Sequence, residues 1–234
     1  MIRLLQRDAK EGTLTLPDAA RHYLFHVHRL AVGDALEVFD GRGRSYAARV
    51  KSEAELELSA STSAPRVREV HVLQGMPKAD KLELVVQKAS ELWATSVAPV
   101  FCERSVVKSS DGDAKKQARW QKIADEAARQ CGRSDVMQVR APVKLAAALE
   151  LQARLLVLDE EEQALMLSAA VRALGPDAPI ALVVGPEGGL SDTERALLDS
   201  RGAQRVSLGR LVLRTETAAL AALSVIRHLD GLLG

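Results

Sequence analysis

Apolar stretches of two kinds alternate along the chain from residue 70 to the C-terminus. Short, β-rich runs predict strands at residues 70–75, 95–101, 154–158 and 180–184. Apolar positions at helical spacing predict helices at residues 82–93, 120–131, 163–173 and 218–229, the last of them apolar almost all round. This alternation predicts a mostly parallel sheet with helices on both faces. We expect the final helix to be buried in the core or in a subunit interface.

The first seventy residues are predicted to form mostly short strands, at residues 35–39, 45–51 and 54–59. The Asp-Gly pair at residues 40–41 is a hairpin signal between the first two strands. Pro17 occupies a position typical of the first residue of a helix, which would extend over residues 18–30. Residues 59–68 have linker composition. We therefore predict two domains, at residues 1–68 and 69–234.

Two glycine-bearing loops occur in the last fifty residues. The first, Gly-Pro-Glu-Gly-Gly-Leu at residues 185–190, follows the predicted strand at 180–184. The second, Leu-Gly-Arg-Leu-Val-Leu-Arg-Thr-Glu-Thr at residues 208–217, follows a predicted strand at 205–208. Ligands of open α/β sheets bind beyond the carboxyl ends of the strands. One such turn alone is more often structural, but the pair predicts a single ligand-binding cradle.

Each loop is followed by a helix start. Ser191 and Glu194 have the capping-box spacing that begins a helix directly after the first loop. Thr215 is the expected N-cap of an apolar helix that begins near Thr217 after the second loop.

The composition bounds the class of protein. With 234 residues and 47% hydrophobic content, the chain is long and apolar enough for one or two folded domains. The longest apolar run, residues 218–223, is too short for a membrane span, and the N-terminus lacks a secretory apolar segment. We therefore expect a cytoplasmic protein without membrane association. Cys102 and Cys131 lack a disulfide or zinc pattern, and we expect both to be buried or half-buried free thiols.

Charged residues are distributed unevenly along the chain, although the net charge is only +1. Residues 99–145 hold ten Lys/Arg against six Asp/Glu, and residues 1–68 hold eleven against nine. Residues 146–234 are acidic, with eight against twelve. A basic surface of this strength is about as compatible with a solvated face as with an RNA-binding surface.

Several candidate sites are weak. The chain lacks a P-loop and a G-x-G-x-x-G motif, so the usual signatures of nucleotide hydrolysis and hydride transfer are missing. His22 and His26 could share a helix face, but no further ligands at recognised spacing accompany them, and we expect no metal. The acidic run at residues 159–162 is more typical of a solvated helix start than of catalysis, although Asp159 or Glu160 could border the cradle.

The two loops together resemble the signature of the RsmE-type methyltransferases, a family of the SPOUT superfamily. Further motifs match along nearly the whole chain, at residues 30–34, 38–41, 78–81, 87–92, 103–108 and 130–133. Three positions depart from the family pattern. Trp93 replaces a usual glycine, Arg129 a usual glutamate and Leu211 a usual arginine.

The resemblance implies an α/β fold of the SPOUT type, with a deep C-terminal trefoil knot in a mostly parallel sheet and a small N-terminal PUA-like β-barrel domain that binds RNA. It implies a homodimer that uses S-adenosyl-L-methionine to methylate N3 of a uridine in 16S ribosomal RNA of the small ribosomal subunit. Two alternatives stay open. One is a ribose 2′-O-methyltransferase of the same superfamily, whose Ser-Leu-Asn-Val-Ser segment is missing here. The other is a ribosome-assembly protein that binds RNA without catalysis.

The resemblance and the chemistry of the reaction give a set of candidate residues. Expected cofactor-binding residues are Leu158, Gly185, Pro186, Glu187, Gly188, Gly189, Leu208, Gly209, Leu213 and Thr215. Expected RNA-binding residues are Arg29, Arg42, Arg44, Lys78, Lys81, Arg104, Lys108, Arg129 and Arg133.

Arg214 and Glu216 are the catalytic candidates. N3 of uridine must lose its proton before it attacks a methyl group, and an arginine would stabilise the developing uracil anion. Glu216 and Thr217 would orient groups or accept the proton, by their local position. The alternative for Arg214 is a structural role, in which it caps carbonyl groups or pairs with Glu187.

Overall fold

The computed structural model describes residues 1–78, 80–110 and 112–234. Ala79, part of the 78–81 motif, lies outside the described residues. The chain divides into two compact units. The first consists of residues 1–66 and 125–136, and the second of residues 67–124 and 137–234.

The first unit is built on a five-stranded sheet. Its strands are β1 (Arg3–Leu5), β2 (Gly12–Thr15), β3 (Ala35–Phe39), β4 (Arg44–Ser52) and β5 (Glu55–Ser63). They lie in the order β1-β3-β4-β5-β2, and only the β1–β3 pair is parallel. The predicted hairpin and its strands are confirmed. Alternating residues of these strands, Leu36, Val38 and Leu56 among them, form a separate hydrophobic core.

The predicted helix at residues 18–30 is wrong in its type and its end. A single α-helical turn, α1 (Asp18–Arg21), continues as a π-helix over His22–Val27, with Pro17 at the N-cap rather than inside the helix. The His28 N–H donates to the Tyr23 carbonyl five residues back, which is the hydrogen bond of a π-helix. The wider turn keeps Leu24 fully buried.

The second unit contains a parallel sheet. Its strands are β6 (Val70–Gly75), β7 (Ser96–Phe101), β8 (Gln138–Val139), β9 (Val143–Lys144), β10 (Arg154–Leu158), β11 (Ile180–Val184) and β12 (Gln204–Val206). Six of them follow the order β12-β10-β11-β6-β7-β8, and β9 also pairs with β7. All of these pairs are parallel. The predicted parallel sheet is confirmed.

Helices cover both faces of this sheet. They are α2 (Lys81–Glu91), α3 (Asp113–Cys131), α4 (Leu145–Ala148), α5 (Leu167–Ala173), α6 (Asp192–Ser200) and α7 (Thr215–Leu229). Residues of α2, α5, α7 and the first part of α3 share one hydrophobic core with one face, and residues of α4 and α6 share another core with the opposite face. Successive residues of the central strands point to opposite faces, so a strand buried on both sides is apolar throughout.

Helix α7 confirms the prediction of a buried final helix, because Ala219, Ala222, Leu223 and Ile226 are fully buried in the core of the second unit. The predicted helix at residues 163–173 is shorter than expected. The carboxylate of Glu162 accepts hydrogen bonds from the N–H groups of residues 164 and 165 and closes a turn there.

The two cysteines differ in their surroundings. Cys102 is buried, as predicted. Cys131 is exposed at the end of α3, so the prediction of a buried or half-buried thiol is wrong there. The helix ends on the turn that leads to Gly132, which has φ +90° and leaves the last residue of α3 in solvent.

Candidate active site

Four neighbouring strands of the second unit end in one row. Gln74 pairs with Val184, Val184 with Leu158, and Leu158 with Val206. Because the strands are parallel, the loops that follow them emerge at the same edge of the sheet. This is the arrangement from which the sequence predicted a ligand-binding site beyond the carboxyl ends of the strands.

The first loop, residues 185–190, leaves β11 and turns into α6. The Gly189 N–H donates to the Pro186 carbonyl at 2.9 Å and closes the turn. The predicted capping box is confirmed, because Ser191 Oγ accepts from the Glu194 N–H and the Glu194 carboxylate accepts from the Ser191 N–H. The loop is therefore fixed at its helical end.

In the structure the second loop comprises residues 207–214 rather than 208–217, because β12 ends at Val206 and α7 begins at Thr215. Gly209 has φ +120°, a backbone conformation that side chains strongly disfavour, and the space beside its Cα is open. Leu211 and Val212 are 79% and 74% exposed. The expected N-cap is wrong by one residue: Arg214 is the N-cap, and α7 begins at Thr215 rather than near residue 217. The Thr215 hydroxyl does not cap the helix; it donates a hydrogen bond to the Gly185 carbonyl at 2.5 Å.

A cavity of about 360 Å³ lies between the two loops, within the range of small-molecule sites. Nine of the ten expected cofactor-binding residues line it, namely Leu158, Gly185, Pro186, Glu187, Gly189, Leu208, Gly209, Leu213 and Thr215. Gly188 does not. A Cβ built on Gly188 would lie 3.0 Å from the Cβ of Arg104, so that glycine makes room for the neighbouring loop instead. Whether each lining residue contacts a ligand stays a prediction.

One wall of the cavity contains charged side chains, and only some of them were predicted from the sequence. Asp159 and Glu160 both line it. The Asp159 carboxylate is buried and accepts from Arg195 Nη1 at 2.5 Å, with Arg205 at 3.9 Å. Arg195, on α6, also lines the cavity and was missed. The signal available in the sequence was its position in the first turn of a predicted helix. The sequence does not show that this turn lies beside β10, because that depends on the order of the strands in the sheet.

Lys81 connects the start of α2 to the first loop and to the start of α7. Its Nζ lies 3.1 Å from Oε1 of Glu187 and 3.4 Å from Oε2 of Glu216. The hydrogen bond to Glu187 raises the pKa of Lys81, and Glu216 adds to the shift. Burial by itself raises the pKa of Glu187, but hydrogen bonds from the Lys78 N–H, from its own N–H and from Lys81 outweigh it, so the pKa is lowered overall.

The two catalytic candidates lie in different environments. Arg214 lines the cavity and is exposed, and its guanidinium has no ion-pair partner among the described residues. The alternative pairing of Arg214 with Glu187 is not formed; Glu187 pairs with Lys81 through Oε1. Glu216 is buried, does not line the cavity and faces Lys81. This geometry favours a role for Glu216 in holding the start of α7.

The expected RNA-binding residues are mostly accessible. In the first unit Arg29, Arg42 and Arg44 are exposed, and Arg129 is half-buried over the Tyr23 ring at 4.1 Å. Arg133 is 5% exposed and pairs with Asp135 through two nitrogens, at 3.1 and 2.8 Å. This corrects the expectation that Arg133 binds RNA, because its guanidinium is buried and paired within the first unit. In the second unit Lys78, Arg104 and Lys108 are exposed, whereas Lys81 is paired.

Over the described parts of the chain, no three His, Cys, Asp or Glu side chains are grouped as metal ligands. His22 and His26 stack with ring centroids 5.2 Å apart. Within the same residues, no helix combines the length and the apolar character that crossing a membrane requires.

Comparison with known proteins decides the family. A family model described as an RNA methyltransferase domain matches residues 64–227, and a model described as an RNA methyltransferase PUA domain matches residues 16–61. The protein named ribosomal RNA small subunit methyltransferase E of Bacillus subtilis is 32% identical, over 99% of this chain and 96% of that protein. The chain belongs to the ribosomal RNA small subunit methyltransferase E family. The resemblance drawn from the motifs is confirmed.

Further relatives and solved structures agree with this chain in sequence and fold. The Synechocystis relative is 35% identical over 94% of this chain and 74% of its own length. The Neisseria gonorrhoeae methyltransferase E, solved bound to S-adenosyl methionine, superposes with a TM-score of 0.87 at 29% identity, covering 98% of both chains. A Legionella pneumophila protein whose structure was solved in complex with SAM has a TM-score of 0.82 at 31% identity, covering 97% of both chains. These matches confirm the predicted fold class, while the knot itself stays an expectation from the family.

Proposed function

We propose that this chain transfers a methyl group from S-adenosyl-L-methionine to N3 of a uridine in 16S ribosomal RNA of the small subunit. One observation carries the proposal. In a chain of the methyltransferase E family, a cavity of about 360 Å³ between the two glycine loops has an accessible arginine, Arg214, in its lining. The strand ends, the two glycine loops and the positive charge of Arg214 therefore lie together at one edge of the sheet.

The cavity fits this cofactor by its chemistry. Leu158, Leu208 and Leu213 give apolar walls, and the backbone groups of both loops can pair with an adenine edge. At Gly209 the absence of a side chain leaves room for a ligand close to the backbone. When bound, S-adenosyl-L-methionine supplies a methyl group on a sulfonium. The residues of the chain hold and orient it.

Arg214 acts on the base. Its exposed guanidinium can reach a uracil placed at the cavity and stabilise the negative charge that N3 deprotonation leaves on the ring. The basic residues of 1–68 and 99–145 hold phosphates and position the RNA. RNA affinity should therefore fall steeply as salt rises, and an affinity independent of salt would contradict this role.

We further propose residues 1–68 as the RNA-binding domain and 69–234 as the methyltransferase domain. The two family-model matches, at residues 16–61 and 64–227, support this division. A homodimer in the cytoplasm completes the proposal. Sedimentation analysis of the purified chain tests the dimer.

The test of the reaction uses small ribosomal subunits that lack the modification and S-adenosyl-L-methionine labelled on its methyl group. Nucleoside analysis of the product should give labelled N3-methyluridine. Label on a ribose would identify the sibling 2′-O-methyltransferase activity. Cofactor binding without any label on RNA would support a protein that binds the subunit without catalysis.

A further inference from the structure

A buried amide joins the end of β6 to the start of α7. Gln74 is fully buried, and its Nε2 lies 2.8 Å from Thr215 Oγ1 and 3.1 Å from the Gly75 carbonyl oxygen. A carbonyl oxygen can only accept, so the atom facing Gly75 must be the amide nitrogen. The Thr215 hydroxyl accepts from Gln74 and donates its own proton to the Gly185 carbonyl. A single assignment of donors and acceptors therefore satisfies all three hydrogen bonds.

The other end of the same amide has no hydrogen bond. Gln74 Oε1 is buried and finds no partner among the described residues. A buried polar atom without a partner costs free energy that an apolar side chain of similar size would avoid. What the amide provides in return is the pair of hydrogen bonds from its nitrogen.

Two of the three segments that the bonds join meet at backbone contact. A Cβ built on Gly75 would lie 2.5 Å from the Pro186 nitrogen, so the end of β6 and the first loop leave no room for a side chain between them. Thr215 is the first residue of α7 and directly follows Arg214. The backbone of Arg214 is therefore one residue from a bond to the first loop.

We propose that Gln74 is a positioning residue for the methyl-transfer site. It does not line the cavity. Through Thr215 it holds the start of the final helix against Gly185, and so fixes the first loop and the end of the second loop at one separation. This inference rests on the proposed function, since the ligand whose binding depends on that separation is S-adenosyl-L-methionine.

The test replaces each side of the Gln74–Thr215 bond and both together, as Gln74→Met, Thr215→Val and the double variant. Both substitutions nearly keep the side-chain volume and remove the Gln74–Thr215 hydrogen bond. Gln74→Met also removes the bond to Gly75, and Thr215→Val also removes the bond to Gly185. Ser96→Ala is the matched control, because Ser96 is also buried in the second unit and its Oγ lies 2.8 Å from His71 Nδ1 near the opposite end of β6. Calorimetry gives the cofactor dissociation constant, and thermal unfolding gives the midpoint for each variant.

Gln74→Met should weaken cofactor binding by about tenfold, the effect of one buried hydrogen bond, while Ser96→Ala lowers the midpoint similarly and leaves binding unchanged. The loss in the double variant should be smaller than the product of the two single losses, because both substitutions remove the Gln74–Thr215 bond and each removes one further bond of its own. If Gln74→Met does not fold, Gln74→Leu, which also removes both hydrogen bonds of the amide, is compared with Ser96→Ala instead, because Thr215 itself lines the cavity.

Unchanged cofactor affinity in Gln74→Met, or losses that multiply fully in the double variant, would overturn the role of Gln74 while leaving the proposed function intact. Wild-type protein that does not bind S-adenosyl-L-methionine would overturn both.

Discussion

The Nζ atom of Lys81 lies 3.1 Å from Oε1 of Glu187, so the first turn of α2 holds the first glycine loop. A basic side chain expected to contact RNA is thus held by a residue that lines the cavity. Lys81→Met should release the loop and weaken cofactor binding, since Glu187 keeps only its backbone donors. Lys88→Met is the control, because Lys88 pairs with Glu91 on the same helix at 2.9 Å. Equal cofactor affinity in the two variants would contradict this account.

The same pair gives a pH dependence of stability. The pKa of Glu187 is lowered from its ordinary value of 4.5, so its contribution is present above that pH and is lost as the pH falls through the folded value. The pKa of Lys81 is raised from 10.5, so its contribution is present below that pH and is lost as the pH rises through the folded value. The stability difference between wild type and Lys81→Met should be largest between these limits, measured by urea unfolding. A difference that does not vary with pH would show that the pair is not the cause.

Arg214 should act in the transition state rather than in cofactor binding. Arg214→Ala removes the charge that stabilises the uracil anion, and kcat should fall by about 10²–10³, as for the loss of one anion-stabilising donor. The cofactor dissociation constant should stay nearly constant. Arg172→Ala, an exposed arginine on α5, controls for the loss of one positive charge. Normal methyl transfer by Arg214→Ala would remove the assignment.

Trp93 occupies a backbone conformation suited to glycine. It follows α2 with φ +60°, and its carbonyl accepts from the buried guanidinium of Arg227 at 2.5 Å. This is the position at which the family pattern has glycine. Trp93→Gly should therefore be more stable than Trp93→Ala by about 1 kcal/mol, because both lose the indole but only alanine keeps the left-handed strain. Urea unfolding of the two variants measures the difference, and a more stable alanine variant would refute the strain argument.

The two thiols should react differently in the native protein. Burial, with the nearby Glu194 carboxylate adding to it, raises the pKa of Cys102 to about 12, so almost no thiolate is present near neutral pH. Cys131 is exposed. Iodoacetamide should label native protein once, at Cys131, and label Cys102 only after unfolding. Native labelling of Cys131→Ser would show that Cys102 becomes accessible in the fold.

The sequence predicted the central strands well because their environment is uniform. Residues 154–158 and 180–184 are strands with the predicted bounds, since a strand covered on both faces is apolar at every position. The capping box at Ser191 was also predictable, because its bonds join residues three apart. The predicted helix over residues 18–30 failed because burial of Leu24 and the Tyr23–His28 hydrogen bond select a π-helix that periodicity does not encode.

The short strands β1, β2, β8 and β9 and the short helix α4 were not predicted, whereas the sequence by itself determined the family, the longer strands and helices, and the two loops that form the cavity. These are local patterns of spacing, glycine and charge. The tertiary structure alone decided which groups are free to act. Glu187 pairs with Lys81 and Arg133 pairs with Asp135, whereas Arg214 has no ion pair among the described residues. The physical reason is that hydrogen bonds and ion pairs form between residues distant in sequence, such as Gln74 and Thr215, only once strand order brings them together.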